Sequence, residues 1–292
     1  MLECNKSFGA QYPIFSLLIY FNSFKNRVFL SGWEGIIITA KNCNTSFQLS
    51  LSSSYHQLQV MEKIYRNTAI FIILIMFGIQ WGFYQVYTSQ FPNFIDKTVT
   101  IHIHGIVLMM WMVLLIVQPL LISTGRTKLH RKIGQVSWVL GPLVIFMLFL
   151  VGRNSFIRHS PVAPEKEMLE VIVLDMRGWI SFAIFWVLAM VYRKDPASHM
   201  RYMIATGIIG IGPGIGRGLI SLGVDFGTSL TITDILDLTI VGVLLGYDIF
   251  KKKNYKPFLI VFIVFLIGGF LWQIRATDAW QSFAKSYASL FY

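Results

Sequence analysis

Cysteine is almost missing from this chain. Cys4 and Cys43 are the only two, so nothing after residue 60 can build a disulfide framework, a thiolate metal site or a cysteine nucleophile. Charge is scarce as well, at 13% of residues, where a soluble domain carries about 25%. The motifs of common hydrolases and nucleotide enzymes are absent: there is no H-E-x-x-H, no G-x-S-x-G and no P-loop. At 292 residues, a membrane bundle leaves no room for a large soluble catalytic domain. What is plentiful is apolar surface, at 55% of residues with a mean hydropathy of +0.61.

That apolar content falls into seven stretches after Met61, at about 68–87, 101–123, 133–152, 169–192, 201–222, 232–250 and 257–274. About 20 helical residues cross a hydrocarbon core, and no segment alternates as a barrel strand would. The expected fold is an all-α bundle of seven transmembrane helices. The basic residues set its orientation. Lys63, Arg66, Arg126, Lys128, Arg131, Lys132, Arg193, Lys194, Arg201, Lys251, Lys252, Lys253 and Lys256 fall on one side. The other side has Lys97, Arg153, Arg158, Lys166, Arg275 and Lys285. The positive-inside rule puts the first side, with Met61, in the cytoplasm and Tyr292 outside. The net charge of +11 is thereby assigned to membrane orientation rather than to nucleic acid. Arg126, Lys128, Arg131 and Lys132 are expected at lipid headgroups.

Residues 1–60 read differently. Their apolar patches, 14–21 and 36–38, are too short to span, and no signal-peptide pattern is present. Met61-Glu62-Lys63 opens a charged start directly before the first span. The expectation is a spurious or disordered extension before a domain at 61–292.

Function must come from polar groups inside the spans, where ionisable residues are costly and face the bundle or water. His104, Asp175, Arg177, Arg217, Asp234 and Asp237 sit in the half predicted to face outside. Asp234 and Asp237 share a helix face, whereas Asp175 and Arg177 diverge. The pattern predicts an interhelical network in which Arg177 and Arg217 meet Asp234 or Asp237. It is read either as a structural lock or as a site for a small polar or anionic ligand with His104 responsive to pH. His102 and His104 are spaced i,i+2 and cannot chelate together on one helix. His104 with Asp175 and Asp237 could hold a metal, and His130 with His199, plus His104 on the far side, could ligate haem. In the fifth span, Pro213 sits among Gly207, Gly210, Gly212, Gly214, Gly216 and Gly218. The glycines predict close helix packing, within the chain or in an oligomer. The alternative is a kinked, partly unwound helix lining a cavity. The tryptophans Trp111, Trp138, Trp179 and Trp186 are expected in the packing or at interfaces.

Between His102 and about Phe250 the chain resembles a widespread group of bacterial multi-pass integral membrane proteins with no assigned activity. The resemblance rests on His104, Gly105, Trp111 and Gln118, then the run Thr124–Gly134, His199-Met200-Arg201, and the helix from Asp234 to Asp248. It implies a bacterial cytoplasmic (inner) membrane protein and supplies no substrate or cofactor. The leading expectation is a non-enzymatic small transporter or sensor. The alternatives are a haem-binding redox protein of b-type character and a structural or assembly factor.

Overall fold

A computed structural model describes the backbone at 18–21, 27–31, 38–39, 45–95 and 97–292, with side chains at 62–95 and 97–292. The chain forms two units, Met1–Glu62 and Lys63–Tyr292. In the first, strands β1 (Leu18–Phe21), β2 (Arg27–Ser31) and β3 (Ile38–Thr39) make an antiparallel sheet in that order. The expectation of a spurious or disordered extension over 1–60 falls largely on residues outside those described.

From residue 62 onward the described regular structure is helical. Seven spans are long and apolar enough to cross a membrane. They are the Glu62–Val86 part of α1 (Thr45–Val86), α2 (Val99–Ser123), α4 (Ser137–His159), α5 (Glu165–Val191), the pair α6 (Pro196–Ile208) and α7 (Ile211–Ser221), α8 (Phe226–Phe250) and α9 (Lys256–Gln273). The chain is a multi-pass membrane protein. Two further helices, α3 (Thr127–Gly134) and α10 (Asp278–Phe291), flank the spans. Central α5 packs against α4, α6, α9 and α10, while α2 packs on α3, α4 and α6, and α8 on α7 and α9.

Helix ends follow local chemistry. Asp195 caps α6 by accepting from the Ala197 N–H at 3.1 Å, with Pro196 at the first helical position. Asp225 caps α8 from the Thr228 N–H at 2.9 Å, so α8 begins before the predicted residue 232. Gly125, at φ 73°, ends α2: the Arg126 N–H reaches the Leu121 carbonyl at 2.8 Å and the Gly125 N–H reaches Ile122 at 3.0 Å. A side chain at that φ would be strained. The sequence placed the third span at 133–152, but α3 ends at Gly134 and α4 continues to His159. Arg153 and Arg158 are therefore helical rather than loop residues.

The fifth span is broken in its middle. It is also a place of close backbone contact between helices. A Cβ on Gly82 of α1 would collide with the Gly214 carbonyl of α7, and one on Gly214 would lie 2.6 Å from the Ile79 Cα. Glycine lets these two backbones touch.

Candidate functional site

Polar side chains of the spans gather at two levels. At the end predicted to face outside, His104 is in the second turn of α2. Its ring is directed at the Met147 carbonyl of α4, and its buried Nδ1 has no partner. Asp175 of α5 lies against Gly152 of α4, whose added Cβ would sit 2.7 Å from the carboxyl carbon. Arg217 of α7 donates to its own Pro213 carbonyl at 2.9 Å and stacks 4.8 Å from the Phe83 ring centre. Its positive charge acts on both His104 and Asp175.

Arg217 is exposed. His104 and Asp175 are half-buried. The surface these three groups retain is what a ligand could use. Helix α10 closes the Asp175 side with Tyr287 and Tyr292, 5.3 Å apart by ring centres. The negative charge of Asp175 reaches both phenols. Trp179, one turn beyond Asp175, faces Tyr287. The Trp179 indole N–H and both tyrosine hydroxyls are buried without a geometrically sound hydrogen bond.

Nearer the centre, Arg177 forms the expected ion pair with Asp234 and lies along Gly268 of α9. Asp175 and Arg177 do point to different neighbours. Arg217 does not join this group, contrary to expectation. Residues five apart on a helix differ by roughly 140° in direction, and it is Gly212 that α7 turns toward Asp237. Asp234 and Asp237 are also not in the first turns of their helix, because the Asp225 cap starts α8 at Phe226. They occupy its middle. Asp237 is 2% exposed, and its Oδ1 has no partner.

The basic end differs in kind. Arg201 is no headgroup-level residue: it is buried and grips Asp248 of α8 twice, at 2.6 and 2.8 Å, while donating to the Ala197 carbonyl at 2.8 Å. Asn254 donates to the Ser198 hydroxyl at 3.0 Å, and Ser198 donates to Asp195 at 2.6 Å. That last bond is the main reason the Asp195 carboxyl is held below its ordinary range. Gln118 of α2, with its amide oriented to satisfy its neighbours, donates to the His130 carbonyl at 3.1 Å and accepts from the Gly134 N–H at 3.2 Å. Trp111 donates to Thr206 at 3.1 Å.

His130 and His199 feel each other electrostatically, and each places Nδ1 near a backbone carbonyl, Gln118 at 3.3 Å and Ala189 at 2.8 Å. Burial is the first cause lowering the His130 pKa, with the charges of His199 and Arg131 adding and the Gln118 carbonyl opposing. His104 is at the other end of the bundle and belongs to no such pair. Among the described residues no group of three or more His, Cys, Asp or Glu is placed to hold a metal ion, so the His104–Asp175–Asp237 metal reading fails on geometry. Arg126, Lys128, Arg131 and Lys132 are exposed on and beside α3. Trp138 is also exposed, and Trp111 and Trp186 are buried.

Comparison with known proteins finds no matching family model, no matching curated protein and no matching solved structure.

Sequence reasoning missed Tyr287, Tyr292 and the partnership of Arg201 with Asp248. A signal for the tyrosines was present: Trp280, Ala284 and Tyr287 recur on one helical face behind Thr277, which accepts from the Trp280 N–H. The Trp280 indole then anchors α10 to the Leu169 carbonyl at 3.0 Å.

Proposed function

We propose that this chain is a non-enzymatic membrane transporter or sensor that takes a small polar or anionic ligand at a site formed by His104, Asp175 and Arg217. One observation carries the reading: His104, whose buried Nδ1 has no partner, and the half-buried Asp175 carboxyl both lie within the field of the exposed Arg217 guanidinium. An orphaned buried polar group costs about 1–3 kcal/mol, which is tolerated where a ligand or ordered water completes the bonding. Arg217 supplies the anion-binding charge. Asp175 keeps the empty site balanced. Trp179, Tyr287 and Tyr292 gather on the Asp175 side. The membrane is a bacterial cytoplasmic membrane in this proposal, with the basic end inward as the positive-inside bias requires and the chain placed in the group it resembles. Arg126, Lys128, Arg131 and Lys132 then meet anionic headgroups.

The test is thermal stability of detergent-purified protein against inorganic phosphate and a series of mono- and dicarboxylates. At least one anion stabilises the wild type, by mass action, and Arg217→Leu removes the shift while the protein remains folded. No stabilising anion, or equal responses from both proteins, would contradict the site.

The haem reading keeps one favourable observation, the electrostatic coupling of His130 and His199, with Nδ1 of His199 at the Ala189 carbonyl and Nδ1 of His130 at the Gln118 side-chain amide. Such bonds orient a ligating imidazole. An absorption spectrum decides it: a redox-sensitive Soret band lost in His199→Ala would replace the transport reading with an electron-transfer one.

A further inference from the structure

The break in the fifth span and the orphaned carboxylate beside it belong together. Helix α6 ends at Ile208 and α7 starts at Ile211. At the junction the Gly210 N–H turns to the Gly207 carbonyl at 3.2 Å instead of to Thr206, four residues back. Pro213 has no N–H to offer the Ile209 carbonyl. Two peptide oxygens are thus released from the helical ladder in the middle of a membrane span. Interrupted helices with freed carbonyls at mid-membrane are where cations are coordinated in transporters.

Asp237 stands at this break. A Cβ on Gly212, two residues into α7, would lie 3.6 Å from its Oδ2, while Oδ1 is buried without a partner. The charges facing it are Arg177 from α5 and Asp234 from its own helix. Arg177 is already engaged by Asp234, α7 presents glycine, and Arg217 points elsewhere. With both carboxyls ionised, two carboxylates and one guanidinium leave one negative charge, on the buried Asp237. An ionised carboxylate there needs a counter-charge. Asp237 offers hard carboxylate oxygens, and the freed carbonyls belong to the span packed on its helix; oxygen donors suit Na+ and not a soft metal. A single uncompensated carboxylate calls for a monovalent ion.

We propose that Asp237 and the broken fifth span form a Na+ site. Its occupancy fixes how α7 packs on α8, and so where Arg217 stands on the same short helix. This site rests on different residues from the anion site, so the two assignments can fail separately.

The experiment uses the full chain in detergent, with NaCl exchanged for choline chloride at constant ionic strength and fixed pH. Thermal stability of the wild type rises saturably with Na+, and radiolabelled sodium binds at one ion per chain. Asp237→Asn, nearly the same shape without the charge, loses both responses. Arg217→Leu keeps both. Should Asp237→Asn fail to fold, sodium binding to the wild type and to Gly212→Ala decides. The added methyl meets Oδ2 only at ordinary contact distance, so this variant folds and binds Na+ more weakly. Absence of saturable sodium binding to the wild type overturns the proposal, as does a sodium shift retained in Asp237→Asn. A stability that follows pH but not Na+ also overturns it, and makes a proton the counter-charge instead.

Discussion

The two ends of this bundle handle buried polarity in opposite ways. At the basic end, Arg201 pairs with Asp248, Asn254 with Ser198 and Ser198 with Asp195 at normal distances, and Gln118 is satisfied by the His130 carbonyl and the Gly134 N–H. Trp186 Nε1 is the buried side-chain atom left unpaired there among the described residues. At the other end, His104, Trp179, Tyr287 and Tyr292 all carry one, and Asp237 carries another at the centre. A completed network rigidifies a fold. An incomplete one is tolerated where something else completes it. Burial alone does not mark a site; burial without partners does.

The largest effect should come from breaking the completed end. Arg201→Ala strands a buried Asp248 and is expected to cost about 3–5 kcal/mol, read as a collapse of thermal stability. Replacing both partners, Arg201→Met with Asp248→Leu, should recover most of that loss if the pair is a lock and nothing more. Next comes the helix crossing that carries Arg217. Gly82→Ala drives a methyl into the Gly214 carbonyl and should cost about 1–3 kcal/mol, with weaker anion and Na+ responses because α7 must move. Asp195→Ala removes the cap of α6 and a partner of Ser198, for about 1 kcal/mol.

The smallest effect concerns pH. Burial lowers the His130 pKa beneath its ordinary 6.5, so the unfolded chain takes up a proton there before the folded one does. The stability this confers is complete above 6.5 and falls as pH drops through the folded value. His130→Asn should flatten that part of the stability–pH curve, and an unchanged slope would assign the acid sensitivity elsewhere.

Much of the architecture is legible in the sequence because a bilayer sets the length of each span and the basic clusters mark one end. What could not be read was which helices touch. Arg177 and Arg217 looked equivalent beside two aspartates. Only the rotation of α7, set by glycines packed on Ile79 and Gly82, turns Arg217 toward Asp175 and His104. Arg201 looked like a headgroup residue because its partner, Asp248, is 47 positions away. Likewise α10 is too polar to register as a span, so Tyr287 and Tyr292 went unnoticed. The Asp225 cap moved Asp234 and Asp237 from the edge to the middle of α8. The fifth span is both broken and closely packed, at different glycines, where the sequence offered a kink and close packing as alternatives.

The most direct measurement is thermal unfolding of a variant carrying Trp179→Phe, Tyr287→Phe and Tyr292→Phe, beside Arg201→Ala. If the unpaired atoms belong to a ligand site, the triple variant is at least as stable as the wild type, since removing orphaned polar atoms is nearly neutral or favourable, and its response to anions is lost. If instead it loses as much stability as Arg201→Ala, those atoms are part of the structural network, and the division between a locked end and a binding end is wrong.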